Sequence, residues 1–209
     1  MKIIDLSHTI YSGMAQYPED PDLPRIKHVM THENNDVLAS ALEISCHLGT
    51  HIDIPYHFLQ GQPSLERMPI EAFYGKARVV DAPAADPPGE ISLAVLDGID
   101  LEGVDYLIIK TGWEQHWGTP RYYQAWPFLS SKLAVFLAEG KLKGLGLDTP
   151  SADPLGGRFV HDLFAAAGMI NVENLGHLGA LPEAPFDLMV FPLKLAGVEA
   201  SPVRAVALI

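Results

Sequence analysis

Apolar positions along this chain fall into short runs broken by turn residues, the pattern of strands more than of long helices. Lys2 to Ser7, with Ile3, Ile4 and Leu6 apolar, reads as a first strand. Arg25 to Thr31 and Val37 to Cys46 read as two more, joined by the polar turn Glu33-Asn34-Asn35-Asp36. Pro69 to Tyr74 fits one helical turn; Lys76 to Asp81 and the strongly apolar Val104 to Lys110 fit strands. Ser130 or Ser131 can cap a helix running to about Lys143, with Leu133, Phe136, Leu137 and Leu142 at helical spacing. Gly144 to Asp148 is a short strand, Phe159 to Ala167 a second helix stopped by Gly168, and Met169 to Val172 the next strand. Strand, helix, strand, helix, strand in that order implies parallel crossovers. Asp187 to Leu193 and Val203 to Ile209 complete the sheet. The pattern predicts an α/β fold, with a mixed sheet and flanking helices in a single domain over residues 1–209. Ser12 to Pro24, Gln60 to Pro63 and the Pro- and Ala-rich Ala82 to Gly89 are expected to be loops.

Composition narrows the functional classes. A chain of 209 residues suits one domain and can bury a sizeable core. The net charge of −12 argues against nucleic acid and against anionic membrane surfaces as partners. One cysteine, Cys46, cannot form an internal disulfide and fits a reducing compartment. Met1 to Leu6 is too short an apolar run for a signal peptide, and no stretch reaches the roughly 20 apolar residues of a membrane helix. A cytoplasmic protein is expected.

The chemistry concentrates in Cys46 to Phe58, C-H-L-G-T-H-I-D-I-P-Y-H-F. His47, His51, Asp53 and His57 all occupy odd positions, so in an extended chain they share one face, with Leu48, Ile52, Ile54 and Phe58 on the other. Gly49, Pro55 and the β-branched Thr50, Ile52 and Ile54 oppose a helix. One straight strand also fails, because it would set the Cα atoms of His47 and His51 about 13 Å apart, too far for shared ligation. The chain must bend, and Gly49 is the residue suited to it. Burying so many polar groups on one face is costly without a strong common partner, which a metal ion would be. Alternation turns Cys46 away from that face, toward a role as a small apolar residue.

The phrase His47-x-Gly49-Thr50-His51-x-Asp53-x-Pro55-x-His57 resembles the signature of the cyclase-like metal-dependent hydrolases, a family that includes bacterial kynurenine formamidases and isatin hydrolases. The opening Asp5-Leu6-Ser7-His8 is similar to that family's first strand, and Val172-Glu173-Asn174-Leu175 to its glutamate motif. The resemblance implies a cyclase-like (swivelling β/β/α) fold. It implies His47, His51, Asp53, His161 and Glu173 as ligands, with Asp53 and Glu173 able to bridge two ions, and His57 as catalytic base or acid. It implies one or two Zn²⁺ ions, with Mn²⁺ as the alternative, and a homo-oligomer, dimer or tetramer. Tyr17-Pro18 falls where kynurenine formamidases carry tryptophan before proline; Tyr17 keeps an aromatic substrate wall but departs from the pattern. Asp148, Asp153 and His177 are expected around the ligands and not among them.

The leading expectation is metal-activated water attacking a small, aromatic amide, as in the arylformamidases that act on N-formylkynurenine in tryptophan catabolism, with His57 moving the proton. The alternatives are opening of a cyclic amide or lactam, as by isatin hydrolases, and metal binding without catalysis. The aromatic stretch Trp113, Trp117, Tyr122, Tyr123, Trp126 and Phe128 fits a pocket wall or packing in a subunit interface or core equally well.

Overall fold

The computed structural model describes residues 1–18, 24–85 and 87–209. Residues 19–23 of the expected Ser12–Pro24 loop, and residue 86 of the loop after it, lie outside the described residues. The strands are β1 (Ile3–Asp5), β2 (Arg25–Met30), β3 (Ala39–Glu43), β4 (His51–Asp53), β5 (Tyr74–Asp81), β6 (Glu90–Ile91), β7 (Tyr106–Lys110), β8 (Phe128–Leu129), β9 (Gly144–Leu147), β10 (Ile170–Glu173), β11 (Phe186–Met189), β12 (Ala200–Pro202) and β13 (Val206–Leu208). The helices are the single turn α1 (His32–Asn35), α2 (Ser131–Ala138) and α3 (Phe159–Ala167).

Nine strands form one mixed sheet in the order β1-β13-β11-β5-β7-β9-β10-β4-β12. Its centre, β5-β7-β9-β10, is parallel, and the outer strands on both sides pair antiparallel. The parallel order β7, β9, β10, with α2 and α3 as crossovers, matches the strand–helix alternation read from the sequence. In β7, Leu107 and Ile109 join α2 and α3 in one core, while Tyr106 and Ile108 enter a second core on the opposite face. That second core gathers Ile4, Leu188 and Ala207 from one end of the sheet with Ile52 and Val172 from the other. The sheet therefore curls until its ends approach, and a bridge between Ser7 and Leu175 joins them. Gly144 sits where the packing is tightest: a Cβ there would lie 2.3 Å from the Ile170 carbonyl oxygen.

Several boundaries differ from expectation for local reasons. Helix α2 starts as predicted, with Ser130 Oγ accepting from Leu133 N at 3.3 Å, but ends at Ala138, five residues short of Lys143. Beyond it, Lys143 N donates to Asp105 O at 2.7 Å and draws the tail back toward the foot of β7. Asp187–Leu193 shortens to β11, which ends at Met189; beyond it Val190 N donates to Phe73 O and Pro192 keeps only an isolated bridge to Val203. Val203–Ile209 shortens to β13 at one end of the sheet order, while the preceding β12, an unpredicted strand, pairs with β4 at the other. The parallel pair β6–β8 is also unpredicted. The hairpin β2–β3 forms its own two-stranded sheet, and Gly168 closes α3 at φ 76° as expected. Among the described residues no helix is long and apolar enough to cross a membrane.

Candidate active site

The site is built where β4 meets β10. Gly49 takes φ 65° and turns the chain, so that His47 approaches β4 from outside the strand while His51 and Asp53 lie in it. Leu48, Ile52 and Ile54 are buried on the opposite side, as alternation requires. The antiparallel register sets His51 opposite Glu173 and Asp53 opposite Asn171. His161 comes from the first turns of α3, whose start is held by Asp153: its carboxylate oxygens accept from Val160 N at 2.9 Å and from His161 N at 3.0 Å. Asp153 lies in the loop after β9, at the carboxyl end of the parallel strands, where open α/β sheets place ligand sites.

All five expected ligands converge. Asp53 Oδ1 lies 2.8 Å from His47 Nδ1 and 3.4 Å from His51 Nε2, while Asp53 Oδ2 faces His161 Nε2 at 4.0 Å. His161 Nε2 is 3.1 Å from Glu173 Oε1, and Glu173 Oε2 is 3.7 Å from His51 Nε2. The groups form two sets, His47/His51/Asp53 and Asp53/His161/Glu173, and in each the ligand atoms lie within 4.8 Å of one another. Asp53 belongs to both.

Each candidate ligand histidine turns one ring nitrogen to these carboxylates and backs the other on an acceptor. His161 Nδ1 is 2.6 Å from Asp153 Oδ2, His51 Nδ1 is 2.9 Å from Gly49 O, and His47 Nε2 is 3.1 Å from Glu199 Oε1. Such backing fixes the tautomer and aims the free nitrogen. Asn174, at φ 56°, supports the loop from behind: its Nδ2 donates to Gly49 O at 2.8 Å, and Tyr122 Oη donates to its Oδ1 at 2.9 Å. Asp53 Oδ1 is buried and meets the His47 ring nitrogen at 2.8 Å as an ion pair without hydrogen-bond alignment. A buried carboxylate needs positive charge around it. Borderline nitrogen and oxygen donors gathered around it fit a divalent ion such as Zn²⁺ or Mn²⁺.

The electrostatics agree. Burial opposes charge on His47, but Asp53 and Glu199 outweigh it and raise the ring to about 11. His161 is likewise buried, and Asp153, Glu173 and Asp53 hold it up at about 10. Burial would raise Asp53, but the neighbouring histidines, led by His47, pull it well below the carboxylate range. These carboxylates favour positive charge at the centre of the site. His57 goes the other way: although its outer side is exposed, desolvation by the surrounding cavity wall, with help from positive His47 and His161, lowers it to about 4 against the pull of Asp53.

His57 ends the 3₁₀ turn Pro55–His57, its ring 4.4 Å from that of His47. It stands at the open side of the site, in a more exposed third grouping with His47 and Glu199. That turn also corrects one expectation: Phe58 does not face away, but lines the cavity with its ring 4.7 Å from His161. The cavity measures about 420 Å³, and Tyr17, Tyr123 and Arg158 form part of its wall. Of the aromatic stretch, Trp113, Tyr122 and Trp126 are buried together as a small core, and Tyr123 alone reaches the cavity. Tyr17 packs edge-on against Trp126 at 5.9 Å. Asp148 is buried beneath, accepting from Thr111 N and Oγ1. His177 bonds to Asp5 O away from the cavity, and His28 and His32 are exposed. Cys46 is half-buried and outside both ligand sets. Glu199 and Arg158 escaped the sequence reading, since each is a lone charge with no neighbouring motif.

The Cyclase family model matches residues 4–154. A kynurenine formamidase of Bacillus cytotoxicus is 30% identical over 206 residues, covering 97% of this chain and 95% of that protein. A structure described as a potential metal-dependent hydrolase with cyclase activity superposes with a TM-score of 0.81 at 26% identity, covering 99% of this chain and 96% of the other. An isatin hydrolase bound to the product analogue thioisatinate superposes with a TM-score of 0.87 at 19% identity, covering 100% and 92%, and shares the fold.

Proposed function

The chain belongs to the Cyclase family, and from that premise we propose that it is a metal-dependent amidohydrolase of the arylformamidase type. The observation that carries this reading is Asp53, a buried carboxylate whose two oxygens face different ligand sets at the floor of an open cavity. His47, His51 and Asp53 would hold one ion, and Asp53, His161 and Glu173 a second. Zn²⁺ is the ion assigned, with Mn²⁺ as the alternative. When bound, such an ion supplies Lewis acidity, making a nucleophile available from water near neutral pH and polarising the amide carbonyl.

The chain's own groups do the rest. His57 stands beside the ligands and is neutral at pH 7, so it can accept a proton at a ring nitrogen and pass it to the departing amine. Positive ions at the floor would lower its basicity further, in the direction burial already takes it. Phe58, Tyr17 and Tyr123 provide flat apolar surface for an aryl group. Their size suits one ring with short substituents, within the usual range of small-molecule pockets.

A single domain over residues 1–209 carries the activity, acting in the cytoplasm as a homo-oligomer on a small molecule and not on nucleic acid, consistent with a net charge of −12. The test is a panel of an aryl formamide and isatin, run on metal-free protein and on protein reloaded with Zn²⁺ or Mn²⁺. Turnover of the formamide that disappears on chelation and returns with metal supports the reading. Turnover of isatin alone would assign the lactam reaction instead, and metal binding without turnover of either would assign a non-catalytic role.

A further inference from the structure

One charged side chain of the cavity belongs to neither candidate ligand set. Arg158 is the one permanently charged cation among the described residues that line it; the other ionisable groups there are tyrosines, histidines, Asp53 and Glu173. We propose that Arg158 is the specificity residue of this site, binding a carboxylate that the substrate carries across an aromatic ring from its scissile amide. The inference rests on the aryl-formamide reading above and names the substrate class within it.

The guanidinium stands at the solvent-exposed rim, paired with Asp162. Its Nε and Nη2 donate to Asp162 at 2.9 and 2.6 Å, and its Cζ lies 5.5 Å from the Phe58 ring centroid. Nη1 makes no hydrogen bond among the described residues, so one edge of the fork stays open to a second carboxylate. Arg158 precedes α3 without capping it, a task that Asp153 performs, and its own structural tie is the pair with Asp162. Gly156 and Gly157, just before it, add no side chain to the rim.

Phe58 neighbours both this cation and a candidate ligand, with Arg158 Cζ 5.5 Å and the His161 ring 4.7 Å from its own ring. A substrate ring laid along Phe58 would have one end over the ligands and the other at Arg158. Charge argues the same way. A protein of net charge −12 repels anions at long range, so an anionic substrate needs a local cation at the cavity, and Arg158 supplies it.

The test compares 4-formamidophenylacetate with its neutral carboxamide counterpart, using metal-loaded protein. We expect wild type to favour the acid about tenfold in kcat/KM, chiefly through KM, as charge-assisted binding remote from the reacting bond should. Arg158→Gln should lower kcat/KM for the acid about tenfold more than for the carboxamide, Arg158→Lys should keep part of the preference, and added salt should shrink it. The corresponding amine products, titrated by calorimetry, read the same preference without turnover. Equal treatment of acid and carboxamide by wild type, or equal losses for both in Arg158→Gln, would overturn the proposal. If neither compound is hydrolysed but the acidic amine product still binds more tightly in an Arg158-dependent way, the formamidase reading fails and the carboxylate site stands. If that binding preference is absent too, both fail.

Discussion

His161 Nδ1 lies 2.6 Å from Asp153 Oδ2, and the same carboxylate accepts the backbone N–H groups of Val160 and His161. One side chain thus starts helix α3 and aims the His161 ring it presents to Glu173. Asp153→Asn should weaken metal binding by about 10–100-fold, the usual cost of losing such a backing group. The weakened ion should be the one held by His161 and Glu173. Metal titration followed by elemental analysis checks this; two ions bound with unchanged affinity would show that Asp153 serves the helix alone.

Ligand and proton carrier separate by the same measurement. His57→Ala should retain metal while kcat falls on the order of 10²–10⁴-fold, the range of general acid–base catalysis. His51→Ala and Asp53→Ala should lose metal along with rate, and Glu173→Gln should bind it more weakly, because an amide bridges ions poorly. Metal-depleted His57→Ala beside fully loaded His51→Ala would reverse the assignment.

Tyr17 lines the cavity and packs edge-on against Trp126. Tyr17→Ala should raise KM for an aryl formamide more than it lowers kcat, since a wall binds ground state and transition state alike. Steady-state kinetics over a substrate series tests it, and an unchanged KM for every substrate would remove Tyr17 from the binding surface.

His8 offers a pH effect away from the ligands. Its ring stacks on Trp117 at 4.0 Å between centroids, and its Nε2 is buried without a partner. Burial, aided by His177 and countered by Asp5, lowers it from 6.5 to about 4. The folded state therefore favours neutral His8, and the unfolded chain binds the proton first. Its contribution to stability is complete above pH 6.5, falls as the pH drops toward 4, and is flat below. His8→Phe, which keeps the stack, should show a shallower loss of Tm between pH 6.5 and 4 than wild type. Identical slopes would mean that His8 titrates as freely in the folded chain as in the unfolded one.

The sequence carried the central parallel strands, both main helices and the convergence of the five candidate ligands because each rests on a local signal. Alternation placed His51 and Asp53, and Gly49 marked the bend. Alternation failed at Phe58 because Pro55 begins a 3₁₀ turn, which brings His57 and Phe58 to the cavity together. Glu199 was invisible for another reason. It reaches His47 only because β12, a strand of three residues, lies against β4 with Ala200 opposite Asp53. No periodicity is measurable over three residues, and no motif links positions so far apart. Helix α2 was overextended because Leu142 fits the helical period while belonging to the returning loop.

Strand β4 has neighbours on both sides, with Asp53 paired to Asn171 in β10 and to Ala200 in β12. A slip of one residue would turn His51 and Asp53 to the wrong face. The floor of the site is therefore intolerant of insertion or deletion. Tyr17, Phe58 and residues 156–158 of the rim stand on loops instead, where changes of length disturb no ladder. Descendants of such a chain can alter what they admit by trial at the rim while inheriting the bond-breaking apparatus intact, so divergence in substrate range should outpace divergence in reaction type.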